Sequence, residues 1–216
     1  KGHLSAMFNL GNMFRDGQGV DQSYTKAVEF YTMAAEQGCT DAMVNLGTLY
    51  EDGKGVAQSF TKAFELLTKA AELGCAAAMN NIGCMYRDGK GVVQSYARAA
   101  ELFTEAAELG QVLAMLSLGS LYFDGQGVPQ SNELTREWWT KAANEGNENA
   151  IKNLKLLDEN EGKSTTTSST TPASPPSPIC CSSCNKPQPS GHTFPKCKGC
   201  RTVQYCNKDC QRAHWS

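Results

Sequence analysis

Apolar side chains recur along the first two thirds of the chain at spacings of three and four, in short runs that return at a constant interval. Ala42, Leu46, Leu49 and Tyr50 make up one such run, and their spacing predicts a helix with a single buried stripe. Sliding the sequence against itself sets the interval at 36 residues, with Gly38, Gly74, Gly110 and Gly146 as successive markers. Residues 3–38, 39–74, 75–110 and 111–146 then align without a gap. Each unit holds two amphipathic stretches and so predicts a helix pair. A period in this range predicts an all-α solenoid whose units bury their apolar faces only against their neighbours.

Punctuation inside each unit agrees with that reading. The DGxG step, as in Asp52-Gly53-Lys54-Gly55, supplies glycines where the chain must leave a helix with positive φ. Ser23, Ser59, Ser95 and Ser131 fall where the second helix should begin, and a hydroxyl there accepts a bond from an otherwise orphaned N–H. The closing glycines suit the position just past a helix end. Gly11, Gly47, Gly83 and Gly119 lie inside the first helix, where each costs about 1 kcal/mol relative to Ala. Close approach of the paired helix is the expected compensation.

Residues 3–157, about seven-tenths of the chain, resemble the Sel-one-like repeats, relatives of the tetratricopeptide repeat. The resemblance rests on AxxxLGxxYxxGxGV and KAxxxxxxAAxxG signatures recurring in phase. It implies a right-handed superhelix of antiparallel helix pairs that serves as a protein-binding scaffold. The fourth copy departs: Thr135-Arg136 replaces an Ala-plus-apolar pair and Trp138-Trp139 stands where Leu66-Leu67 stood. Bulk at one pair is expected to offset its loss at the other, with both tryptophans packed in the core. A final half-unit, NENAIKNLKLLDEN, places Lys155 in the glycine position, which suits a terminal helix.

Asn9, Asn45, Asn81 and Asn153, with Ser117 in the fourth copy, form a periodic polar ladder just before a core Leu or Ile. Two readings stay open: hydrogen bonding between repeats by partly buried amides, or a row of amides gripping an extended partner backbone. Cys39 and Cys75 share one repeat phase, but no second cysteine stands seven residues on, so the disulfide pattern of the secreted cysteine-rich relatives is missing. With Cys84 they read as reduced small hydrophobes.

Composition divides the chain. Residues 158–179 hold almost no large apolar side chains, and from Ser164 to Pro178 every residue except Ala173 is Ser, Thr or Pro. Such a stretch cannot bury enough area to offset the entropy of ordering, which predicts a disordered tether. The expected domains are therefore the solenoid over 1–157, the linker over 158–179 and a small module over 180–216. Pro172-x-x-Pro175 and Pro175-x-x-Pro178 are open to docking or to phosphorylation nearby, with spacer as the simpler reading. The chain opens at Lys1, inside the first repeat, and is expected to be a fragment, so any signal upstream is invisible.

Seven of the ten cysteines lie within residues 180–210, as Cys181-x-x-Cys184, Cys197-x-x-Cys200 and Cys206-x-x-x-Cys210. Each spacing lets two thiolates reach one tetrahedral ion, and zinc suits sulfur ligands without redox chemistry. The order, and YCNKDCQRAHW above all, resembles the MYND zinc finger. That resemblance implies two interleaved zinc sites: Cys181, Cys184, Cys206 and Cys210 on one ion, Cys197 and Cys200 on the other beside a closing His and Cys. Those last two ligands would fall beyond Ser216, which leaves His192 or His214 as stand-ins here. Cys180 is an alternative to Cys181, although the two-residue spacing favours Cys181. The resemblance also implies a protein-interaction module that takes short proline-containing peptides, with Gln211 and Trp215 near the groove or else packed on the zinc core.

The module is basic, with six Lys and Arg against Asp209, while the rest of the chain holds 14 basic and 21 acidic residues. Six thiolates and two zinc ions would lower the module's side-chain charge from +5 to about +3, weak footing for binding nucleic acid. Sulfur ligands filling the first site leave no open position for water and no Glu stands ready as a base, so catalysis is not expected. Neither a membrane span nor a small-molecule substrate is expected. The expected role is a non-enzymatic zinc-binding adaptor in cytoplasm or nucleus. Its rivals are a ubiquitin-ligase component, which would want a CxH step absent here, a fragment of a MYND-containing methyltransferase, and a nucleic-acid binder.

Overall fold

The computed structural model describes residues 2–166. Among them are nine helices and no strand: α1 (Gly2–Asp16), α2 (Tyr24–Glu36), α3 (Thr40–Asp52), α4 (Phe60–Glu72), α5 (Ala76–Asp88), α6 (Tyr96–Glu108), α7 (Val112–Asp124), α8 (Asn132–Asn144) and α9 (Glu148–Thr166). Each 36-residue unit is one helix pair, as the periodicity predicts. The closest packing joins α1 to α2, α3 to α4, α5 to α6 and α7 to α8, and α2, α4 and α6 also pack on α3, α5 and α7 of the next unit.

Local chemistry sets the helix ends. The Ser23, Ser59, Ser95 and Ser131 hydroxyls accept from the backbone N–H groups of Lys26, Lys62, Arg98 and Leu134 at 3.2–3.4 Å. Gly53, Gly89 and Gly125 close their helices with φ near +68° to +69°. A second brace, which the sequence reading passed over, recurs in all four units. The side-chain amides of Gln22, Gln58, Gln94 and Gln130 donate to the carbonyls of Arg15, Glu51, Arg87 and Phe123, each at 2.7 Å. Those carbonyls lie in the last helical turn, where intrahelical partners have run out.

The core repeats with the sequence. Ala27, Ala63, Ala99 and Thr135 are each fully buried on the second helix, followed one turn on by Tyr31, Leu67, Phe103 and Trp139. Opposite them on the first helix stand the internal glycines. A β-carbon at Gly11 or Gly83 would sit 2.5 or 2.6 Å from the ring of Tyr31 or Phe103, and one at Gly47 would sit 3.2 Å from Leu67. Close approach of the paired helices, expected as compensation for the missing side chain, is what the structure contains.

In the fourth copy, Thr135 is tolerated in the core because its Oγ1 donates to the Ser131 carbonyl at 2.8 Å. Trp139 is buried, and its indole N–H donates to the Leu116 carbonyl at 3.1 Å. Trp138 is only half-buried, with the Lys141 ammonium 4.0 Å from its ring centroid.

One boundary needs correction. The linker was expected to begin at residue 158, but α9 continues through Thr166. Charge holds this stretch where apolar area is lacking: Arg136 on α8 pairs with Asp158 at 2.5 Å and with Glu161 at 2.6 Å. Asn132 adds a bond to Glu161 at 3.3 Å. Residues 167–179, with both PxxP steps, lie outside the described residues, as does the whole module 180–216.

Candidate protein-interaction surfaces

The polar ladder resolves into unlike parts. Asn9 is exposed. Asn45 bonds across repeats, its amide donating to Asn12 Oδ1 at 3.3 Å, and the buried Tyr31 hydroxyl donates to the same oxygen at 2.6 Å. Asn12 thus ties three helices together, and burial pushes the Tyr31 phenol above its ordinary value. Sequence reasoning missed Asn12 because its register reads Asn, Thr, Cys, Ser along the four copies, with no constant residue to draw notice. The reading of the ladder as bonding between repeats holds for Asn45.

Asn81 behaves differently, since its Oδ1 accepts from Asn80 Nδ2 on the same helix at 3.2 Å. Asn80 is 5 % exposed and its own Oδ1 has no partner. It occupies the register of Phe8, Val44 and Leu116, so an amide stands here where the other copies place an apolar side chain. Asn153 and Ser117 are half-buried.

Two grooves open on the solenoid, and of the ladder residues only Asn153 lines one of them. One, of about 310 Å³, runs between α2 and α4 over α3, with Ala35, Met43, Leu46 and Leu66 among its apolar lining and Lys62, Lys69, Glu36 and Glu65 at its polar margin. The Lys62 ammonium lies 5.2 Å from the Tyr50 ring centroid, a cation–π contact that orders the margin. The other, of about 370 Å³, is lined by Phe123, Trp139, Leu156 and Leu157 with Ser120, Asn153 and Asn160. Both are open clefts whose lining is more apolar than polar.

Cys39, Cys75 and Cys84 are free thiols, partly buried beside the core, in keeping with their reading as small hydrophobes. Burial pushes the Cys84 thiol up from its ordinary value. Among the described residues no cluster of three or more His, Cys, Asp or Glu side chains could hold a metal ion, and no helix is long and apolar enough to cross a membrane. The expected zinc ligands Cys181, Cys184, Cys197, Cys200, Cys206 and Cys210, the expected peptide contacts Gln211 and Trp215, and His192 and His214 all lie outside the described residues. Their chemistry rests on the donor set, six thiols in three short-spaced pairs, and that set fits zinc.

Comparison with known proteins gives this geometry its context. The chain matches the Sel1 repeat four times, over residues 4–39, 40–75, 76–111 and 112–147, and the MYND finger over residues 181–216. A Sel1 repeat protein from Oxalobacter formigenes is 35% identical, with a TM-score of 0.66 over 70% of this chain and 62% of its own. A protective antigen of uropathogenic Escherichia coli displaying an SLR fold is 34% identical, with a TM-score of 0.64 over 69% of this chain and 32% of its own. An immunity protein from Pseudomonas aeruginosa is 26% identical, with a TM-score of 0.55 over 69% of this chain and 56% of its own. The chain therefore spans about a third to three-fifths of the length of these solved relatives. No curated protein matches it.

Proposed function

Because the chain belongs to the Sel1 repeat family and carries a MYND finger match beyond the repeats, we propose that it is a non-enzymatic adaptor whose solenoid holds one protein while the finger recognises another. The observation that carries this reading is the union, in one chain, of four in-phase repeats and a finger of the MYND type. Stacked repeats present extended surfaces suited to protein partners, and a MYND finger implies zinc.

Two zinc ions are proposed for the complete finger, with Cys181, Cys184, Cys206 and Cys210 on the first and Cys197 and Cys200 on the second. Thiolate ligation of this kind contributes folding free energy directly in so small a module. Gln211 and Trp215 are proposed to meet a short proline-containing peptide. On the solenoid, exposed Asn9 is proposed to add amide contacts to a partner backbone, together with the polar atoms of half-buried Asn45 and Asn81 that their bonds to Asn12 and Asn80 leave over. Thiol-dependent zinc binding suits a reducing compartment, cytoplasm or nucleus.

Elemental analysis of the purified chain tests the metal, and titration with a labelled proline-containing peptide, before and after chelation, tests the recognition. Bound zinc together with peptide affinity that falls on chelation supports the adaptor. Absence of zinc, or peptide binding indifferent to chelation, would sink the finger's proposed part in it.

A further inference from the structure

The edge where each unit hands over to the next is uncovered. A β-carbon at Gly74 or Gly110 in these turns would meet nothing within 4 Å. Beside those glycines stand Leu73 and Leu109, 61% and 58% exposed, and Leu113 in the first turn of α7 is 54% exposed. At such exposure a leucine contributes less than half of what full burial would give the fold. Nor does the repeat demand it, since the register of Leu73 and Leu109 reads Gln37 in the first copy and Glu145 in the last. Likewise the register of Leu113 reads Asp41, Ala77 and Asn149 elsewhere. Apolar residues are thus confined to the two middle turns, with polar residues at both ends.

Charge around this strip runs against helix stability. Helices α2, α4 and α6 end in Glu36, Glu72 and Glu108, at the negative pole of the helix dipole, where a cation would be favoured. The last turns of α2 and α6 hold no basic residue; Lys69 of α4 lines the neighbouring groove. All three glutamates are exposed, and none forms an ion pair within the described residues. An exposed leucine strip beside unpaired carboxylates on helix C-termini repels phosphate and attracts cations.

From this juxtaposition we infer that the turn edge carrying Leu73, Leu109 and Leu113 is a docking site for a Lys- and Arg-bearing amphipathic helix of a partner protein. The helix lays its apolar side chains on the leucines, and its cations meet Glu36, Glu72 and Glu108. Charge complementarity selects this occupant over nucleic acid or an anionic membrane, both of which the carboxylates disfavour. The inference rests on the scaffold reading of the solenoid and assigns that scaffold a surface and a partner chemistry.

The test titrates the full chain into a fluorescein-labelled model peptide with leucines on one helical face and lysines on its flanks. Saturable binding that weakens with salt is expected. The triple variant L73S/L109S/L113S should weaken it at least tenfold, with an unchanged helical circular dichroism spectrum because all three side chains are exposed. Val93→Ser, at a side chain 89% exposed in a different loop, should leave it unchanged. E36Q/E72Q/E108Q should weaken binding and flatten its salt dependence. Equal binding by the triple leucine variant, or equal affinity for a glutamate-flanked peptide, overturns the site, as does self-association in sedimentation velocity that the leucine variant abolishes. Loss of binding in N45A/N81A alone would move the site to the amide ladder, leaving the scaffold reading standing and this edge refuted.

Discussion

The ring of Phe103 fills the place where Gly83 would carry a side chain: a β-carbon there would stand 2.6 Å from Cε1 and 2.8 Å from Cδ1. Gly83 lies in α5 and Phe103, fully buried, in α6, so the glycine sets how closely the two helices approach. Helix propensity alone says that Gly83→Ala should stabilise by about 1 kcal/mol. The buried ring cannot withdraw, and overpacking of about 1–3 kcal/mol should reverse the sign. Urea denaturation should find Gly83→Ala destabilised, and more so than Gly47→Ala, where the neighbour is Leu67 at 3.2 Å. A stabilised Gly83→Ala would refute the close-approach account.

Asn80 should respond in the opposite sense. Its buried Oδ1 has no partner and its register is apolar in copies one, two and four, so an unsatisfied group of this kind costs about 1–3 kcal/mol. Asn80→Val is expected to raise the unfolding midpoint. Should it also weaken partner binding, the amide is held at the expense of stability for recognition; an unchanged or lowered midpoint would mean that the oxygen is satisfied in solution.

Arg136 pins the last helix. Its pairs with Asp158 and Glu161 are solvent-exposed, so each contributes about 0.2–1 kcal/mol. The effect of Arg136→Ala should be local: faster amide hydrogen exchange over residues 155–162, with α1 to α6 unchanged. High salt should mimic it in the native chain. Exchange that stays slow in α9 would show that Leu157, buried in the core, suffices to hold the helix.

Cys84 offers a test of burial. Desolvation raises its thiol pKa, so the reactive thiolate is scarcer at neutral pH than in an exposed cysteine. Alkylation with iodoacetamide, followed by mass spectrometry, should be slow at Cys84 in the folded chain and accelerate on urea unfolding. In the folded state it should rise only as pH climbs beyond the usual thiol range. Equal rates folded and unfolded would contradict the raised pKa.

Much of this architecture was legible because the interactions that specify it are local. The serine caps reach only three residues ahead, and the DGxG glycines answer a backbone demand within one turn. The internal glycines announced a close contact without naming it; Tyr31, Leu67 and Phe103 emerged as its other half only when the helices were paired. Arg136 was visible as a departure from the repeat, yet its role was not, since its partners lie 22 and 25 residues away. The same separation hid the extension of α9 beyond residue 158.

By itself, then, the sequence determined the repeat length, the helix pairs, their caps and the cysteine set of the finger, because each depends on residue types at short fixed spacings. Tertiary structure decided which polar groups are spent. It joined Asn45 and Tyr31 through Asn12, left the Asn80 oxygen unpartnered, and brought Leu73 and Leu109 out on an acidic edge. Burial and pairing across repeats depend on which faces meet in space, and periodic spacing alone does not encode that.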